Sequence, residues 1–143
     1  AYDHSRIWDA TSGWFKEKSS DVDSEHIYFK QIKLESGTRP LVLSEFGGYS
    51  CKIKEHSFNL DKTYGYRYFD DKSEFEKSLI KLYDNEIIPC IKNGLCATVL
   101  TQVSDVEDET NGLLTYDRVV LKVNLDKMNE LAKRMKDVFN SVI

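Results

Sequence analysis

Residues 39–48, Arg-Pro-Leu-Val-Leu-Ser-Glu-Phe-Gly-Gly, decide how this chain is read. An apolar run with the character of a buried strand ends on one carboxylate, Glu45, and two glycines follow at once. A buried carboxylate is costly unless hydrogen bonds or a counter-charge hold it. Glycines directly behind it permit backbone angles and close approaches that other residues resist. Such a carboxylate is either a structural strand-end glutamate or a reactive group at the mouth of an α/β barrel.

Outward from this strand, hydrophobic periodicity gives alternating strands and helices. Arg6–Trp14 reads as a short strand closing on Ser12, Gly13 and Trp14, and Asp23–Phe29 as a second. A period of two places Ile27 and Phe29 on one face of that strand and His26 and Tyr28 on the other. Arg39–Phe46 is the third strand. Gly47 to Lys72 is too long for an ordinary connection and is expected to be functional. Ser73 is expected to cap a helix carrying Phe75, Leu79, Leu82 and Tyr83 at helical spacing. That pattern runs to about Ile91, with a kink at Pro89 and a stop at Asn93-Gly94. Leu95–Val103 is the fourth strand and Ser104–Gly112 an acidic loop. An amphipathic helix over Leu125–Val142 presents Leu125, Met128, Leu131, Met135, Val138 and Val142 as one stripe.

Continuous apolar strands alternating with helices indicate a parallel α/β sheet. Four strands are half of a (β/α)8 TIM barrel, in which reactive groups lie on the loops at the strand C-termini. The fold expected is therefore a set of parallel β/α units forming half of such a barrel, with residues 1–143 as one unit. Trp14, His26, Tyr28, Glu45, Thr101 and Gln102 would then converge on one opening. An acid, aromatic platforms and hydrogen-bonding side chains around an opening suit a sugar ring.

Composition excludes other classes. The chain has 143 residues, a formal charge of −4 and 31% charged residues, without a basic stripe interleaved with aromatics, which disfavours nucleic acid. No apolar run reaches the roughly 20 residues needed to cross a bilayer, so no membrane association is expected. The three cysteines, Cys51, Cys90 and Cys96, lack close-pair spacing, so neither a zinc site nor any other cofactor is expected. Cys90 and Cys96 read as small core residues, consistent with a reducing, cytoplasmic setting. His4 and His56 read as loop residues. The Asp105–Glu109 run reads as a solvated loop before a cation site, and Ser12 has no adjacent His/Asp pattern of a nucleophile. Trp14 and Tyr28 fit either a core or a platform, and the Tyr64–Phe69 aromatics either a cleft wall or a loop anchor.

The stretches RPLVLSEFGGYS (39–50) and NGLCATVLTQVSDVEDETNGLLTYDR (93–118) together resemble the C-terminal part of the barrel domain of glycoside hydrolase family 2. RIWDATSGWF (6–15) and DVDSEHIYF (21–29) look like the fifth and sixth barrel strands of that family. The resemblance runs from about Arg6 to Lys122, with the final helix fitting the eighth. It implies a retaining β-glycosidase of the β-galactosidase or β-glucuronidase kind acting on a β-linked carbohydrate, built on strands 5–8 of the barrel. In such enzymes two carboxylates stand about 5 Å apart, one as nucleophile and one as acid/base. Glu45 falls at the family's nucleophile, and Tyr28 matches a tyrosine beside it. His26, Trp14, Gln102 and Asp105 are implied contacts to sugar hydroxyls.

The chain departs from the family pattern in two places. The acid/base glutamate of an Asn-Glu pair has no counterpart before Glu45, because Asn85-Glu86 and Asn129-Glu130 both come later. Thr101 stands where many relatives carry a tryptophan. The expectation is a segment of a longer enzyme, inactive alone and dimerising through exposed half-barrel edges. The alternative is a non-catalytic carbohydrate-binding or scaffolding segment.

Overall fold

The structure is a computed structural model that describes residue 3 and residues 5–143; His4 lies outside the described residues. Three strands, β1 (Asp23–Ile27), β2 (Leu41–Gly47) and β5 (Leu95–Thr101), form a parallel sheet in the order β1-β2-β5. The long connection after β2 contains β3 (Tyr49–Cys51) and β4 (Arg67–Phe69), which pair in parallel as a separate two-stranded sheet. The helices are α1 (Lys72–Leu82), α2 (Ile88–Lys92) and α3 (Leu125–Asn140).

This architecture corrects the expectation of a half TIM barrel. Among the described residues only three strands join the parallel sheet, and the one β–α–β crossover runs from β2 through α1 and α2 to β5. Arg6–Trp14 is not a strand, because side chains capture the backbone donors that a neighbouring strand would need. Trp8 N–H donates to Asp21 Oδ2 (2.7 Å), Ala10 N–H to Ser20 Oγ (3.1 Å) and Gly13 N–H to Ser24 Oγ (2.9 Å). Ser12 (φ 39°) and Gly13 (φ 79°) then turn the chain out of the extended region altogether. Nor does a helix link β1 to β2. Ile32 N–H donates to Glu86 Oε2 (2.6 Å) and Leu34 N–H to Cys90 Sγ (3.3 Å), so this segment lies as coil over the helical layer.

The core lies between β2 and the helices. Leu41, Leu43 and Phe46 of β2 meet Phe75, Leu79, Ile87, Cys90 and Leu131, all buried. Burial of a side chain the size of Phe46 is worth about 1.5–3 kcal/mol. The helix expected from Ser73 begins earlier, since Asp71 is the N-cap and its carboxylate accepts from Glu74 N–H at 3.0 Å. Its continuation is interrupted by a π-helical turn over Tyr83–Ile87, just before Pro89. Proline has no N–H to donate back along the helix, and the wider turn absorbs the missing bond. The α3 stripe is narrower than expected: Leu131 is buried and Met128 and Met135 pack against the core, but Leu125 and Val142 are exposed. Of the cysteines read as core, Cys90 is buried and Cys96 is exposed on edge strand β5, at the register shift where Leu41 pairs with Leu95 and Val42 with Ala97. No helix among the described residues is long and apolar enough to cross a membrane.

One irregularity in β2 positions the site. Strict alternation would put Leu41, Leu43 and Glu45 on the same face, sending the carboxylate toward the core. Instead Glu25 pairs with Leu43 and His26 with Glu45, leaving Ser44 as an extra residue. This bulge hands the core position to Phe46, and Glu45 stands beside His26 instead.

Candidate active site

Glu45 emerges at the C-terminal end of the central strand, its side chain 46% exposed. Tyr28, directly after β1, donates its hydroxyl to Glu45 Oε2 at 2.9 Å and lies 2.8 Å from Thr101 Oγ1 at the end of β5. His26 Nδ1 approaches the same Oε2 at 3.6 Å. Each strand of the sheet thus contributes to one cluster: His26 from β1, Glu45 from β2 and Thr101 from β5. Both protein contacts fall on Oε2, and among the described residues none donates to Oε1.

Burial pushes the Tyr28 phenol above its usual range, with the hydrogen bond and charge of Glu45 acting in the same sense and Thr101 opposing. The phenol therefore keeps its proton and stays a donor to the carboxylate across the physiological range. Tyr66 stacks on Tyr28 with ring centroids 4.1 Å apart. Its own hydroxyl is pushed up to about 12, first by burial and then by its neighbour Tyr64.

A cleft of about 480 Å³ opens beside this cluster, lined by Trp14, His26, Tyr28, Phe29, Tyr64 and Tyr66 together with Gly13, Lys16, Glu25 and Lys30. Trp14 is 73% exposed, and its indole N–H donates to the His26 carbonyl at 3.3 Å, so it is a wall of the cleft and not core. Phe29 corrects the expected strand register. Its positive φ of 57° ends β1 early, and the ring is 85% exposed on the cleft side, not alongside buried Ile27.

The remaining candidates lie in a different network. Asp105 is buried, with both oxygens on Lys122 Nζ (2.6 and 2.8 Å) and Oδ1 also accepting from Gly112 N–H (2.8 Å). Burial pushes the Asp105 carboxyl up and the Lys122 ammonium down, while the ion pair between them resists both shifts. Gln102 donates to Glu109 Oε2 (3.0 Å) and Asn111 Oδ1 (2.6 Å), which ties the acidic loop to the end of β5. Neither Asp105 nor Gln102 hydrogen-bonds to the Glu45 cluster. Glu86 accepts from Ile32 N–H, a structural role for the acid of Asn85-Glu86. No group of three or more His, Cys, Asp or Glu among the described residues could hold a metal ion.

Two members of the cluster escape sequence reasoning. Ser12 Oγ lies 3.0 Å from His26 Nε2, across a separation that no local pattern announces. Ser44 is the bulged residue itself, and period-two logic assigns it no special place. For Ser12 the available signal was the Ser12-Gly13 dipeptide, which marks a chain reversal; for Ser44 there was none.

Neither a scan against protein-family models nor a search of curated proteins finds a match to this chain.

Proposed function

We propose that this chain carries the nucleophile of a retaining β-glycosidase and that Glu45 is that nucleophile. The observation that supports this most directly is the state of its carboxylate. It stands half-open beside an aromatic cleft, with Oε2 held by the Tyr28 hydroxyl at 2.9 Å and Oε1 unengaged. Donation to one oxygen fixes the plane of the group, leaving the other lone pairs directed outward.

The bound sugar lies between the exposed rings of Trp14, Phe29 and Tyr64, whose flat faces match the apolar faces of a pyranose. Glu45 Oε1 attacks the anomeric carbon and the bond to the aglycone oxygen breaks. That oxygen takes its proton from a second carboxylic acid, and a glycosyl ester remains on Glu45. Water activated by the same second group then cleaves the ester. The groups touching Glu45 are a phenol and an imidazole, so the acid/base comes from outside this cluster.

A test follows from the chemistry of the leaving group. Dinitrophenolate departs without protonation, so dinitrophenyl 2-deoxy-2-fluoro-β-glycosides react with a nucleophile even where the acid/base is missing. Incubation with the galacto and gluco reagents, followed by peptide mass analysis, is expected to give a stable adduct on Glu45 that Glu45→Gln abolishes. No adduct, or one elsewhere that survives Glu45→Gln, overturns the proposal.

A further inference from the structure

The Ser12-Gly13 turn is built with more care than a connecting loop requires. Gly13 has φ 79°, and a Cβ there would lie 2.2–2.5 Å from the His26 ring atoms, so only glycine lets the imidazole pack against this backbone. Buried Ser24 accepts from Gly13 N–H at 2.9 Å, and its hydroxyl donates to Asp9 Oδ1 (3.1 Å), which also accepts from Ser12 N–H (3.2 Å). Held in this way, Ser12 adopts φ 39°, a conformation uncommon outside glycine, and brings Oγ to 3.0 Å from His26 Nε2. The far side of the ring, Nδ1, faces Glu45 Oε2 at 3.6 Å.

The direction of each hydrogen follows from the partners. A carboxylate only accepts, so Glu45 Oε2, 3.6 Å from Nδ1, favours a neutral His26 with its proton on Nδ1 and a lone pair on Nε2. Ser44 Oγ, 3.4 Å from Ser12 Oγ, gives its hydrogen to the Glu25 carbonyl at 3.2 Å and has none for Ser12. The Ser12 hydroxyl has two acceptors in reach, His26 Nε2 at 3.0 Å and Ser44 Oγ at 3.4 Å, and the shorter contact favours Nε2. Free imidazole in water favours the opposite tautomer, with the proton on Nε2, so this arrangement has to be imposed by its surroundings.

The geometry points to Ser12 as a positioning residue that locks His26 in the Nδ1–H tautomer and aims it at the Glu45 carboxylate. This inference rests on Glu45 being the reactive group. Serine, imidazole and carboxylate in line are also the components of acyl transfer, with Ser12 as nucleophile. That reading lacks its oxyanion donor, since the N–H that follows the serine, Gly13 N–H, is already given to buried Ser24. The charged groups lining the cleft beside His26 are Lys30 and the Lys16–Glu25 pair, and the Lys16 ammonium is held by Glu25 Oε1 at 2.6 Å.

The test uses the full chain with ¹⁵N-labelled histidine. Ring-nitrogen shifts of His26 are expected to show Nδ1 protonated in the parent protein and a shift of population toward Nε2–H in Ser12→Ala, which leaves the backbone demand at position 12 unchanged. Ser12→Asn, which tolerates a positive φ and offers an N–H donor, is expected to restore the parent pattern. Formation of the 2-fluoroglycosyl adduct on Glu45 is expected to slow about tenfold in Ser12→Ala and recover in Ser12→Asn. A parent protein with Nε2–H, or a tautomer indifferent to Ser12→Ala, overturns the inference. So does covalent capture of Ser12 by a fluorophosphonate. A tautomer that responds to Ser12 in a chain whose Glu45 never reacts supports the positioning role and overturns the glycosidase reading instead.

Discussion

Glu45 and Asp105 are both acidic residues at the C-terminal side of the same parallel sheet, and their surroundings could hardly differ more. Asp105 is sealed, paired with an equally buried Lys122 and capped by Gly112 N–H. Glu45 is half-open, and its partners are a neutral phenol and an imidazole that leave one oxygen unengaged. A carboxylate sealed against a buried ammonium is out of a substrate's reach. One restrained at a single oxygen is oriented and still available. The chemistry of an acid in a fold is set by what its neighbours leave free.

The contrast is broken hardest at the sealed pair. Lys122→Met strands a buried carboxylate and is expected to cost about 3–5 kcal/mol of stability by denaturant unfolding. In the Asp105→Leu/Lys122→Met double variant both charges go, and the loss is expected to be clearly smaller than that of Lys122→Met alone. A double variant as unstable as the single would mean that Asp105 is held by something other than its ion pair.

At the open site the ranking reverses, with chemistry affected and stability spared. Tyr28→Phe keeps the stack on Tyr66 but removes the donor to Glu45, and is expected to slow adduct formation about tenfold. Glu45→Gln is expected to abolish the adduct while moving stability by less than about 0.5 kcal/mol, as for a surface change. A large loss of stability in Glu45→Gln would make it a structural residue after all.

The smallest effect is expected at a surface carboxylate already paired with a histidine. Asp117 is lowered from the ordinary 3.8 to about 2, chiefly by its hydrogen bond with His56 and then by Thr115. A depressed folded-state value means that the contribution is present above pH 3.8 and is lost as pH falls through about 2. Asp117→Asn is expected to flatten the acid limb of the stability curve slightly over that window, as read by urea unfolding at stepped pH. A steeper limb would reverse the sign assigned to the pair.

Much of the fold was legible one element at a time. The strands at 23–27, 41–47 and 95–101, their parallel pairing, and the helices starting near 72 and 125 follow from hydrophobic periodicity and turn residues, which act over a few neighbours. Periodicity reads Arg6–Trp14 as a strand, because composition does not reveal that Asp21, Ser20 and Ser24 capture its donors. The count of β/α units, and with it the half barrel, failed with that strand and with the coil that replaces a helix between β1 and β2.

The residues around Glu45 divide along the same line. A carboxylate between an apolar run and two glycines, with a tyrosine beside it, is local information that the chain carries unaided. The bulge at Ser44 that turns Glu45 from the core toward His26 depends on β1 and β2 lying side by side, as does the approach of Ser12 to His26. The burial of Asp105 against Lys122 likewise appears only on folding. Contacts between residues far apart in the chain are decided by register and packing, which no short stretch of sequence encodes.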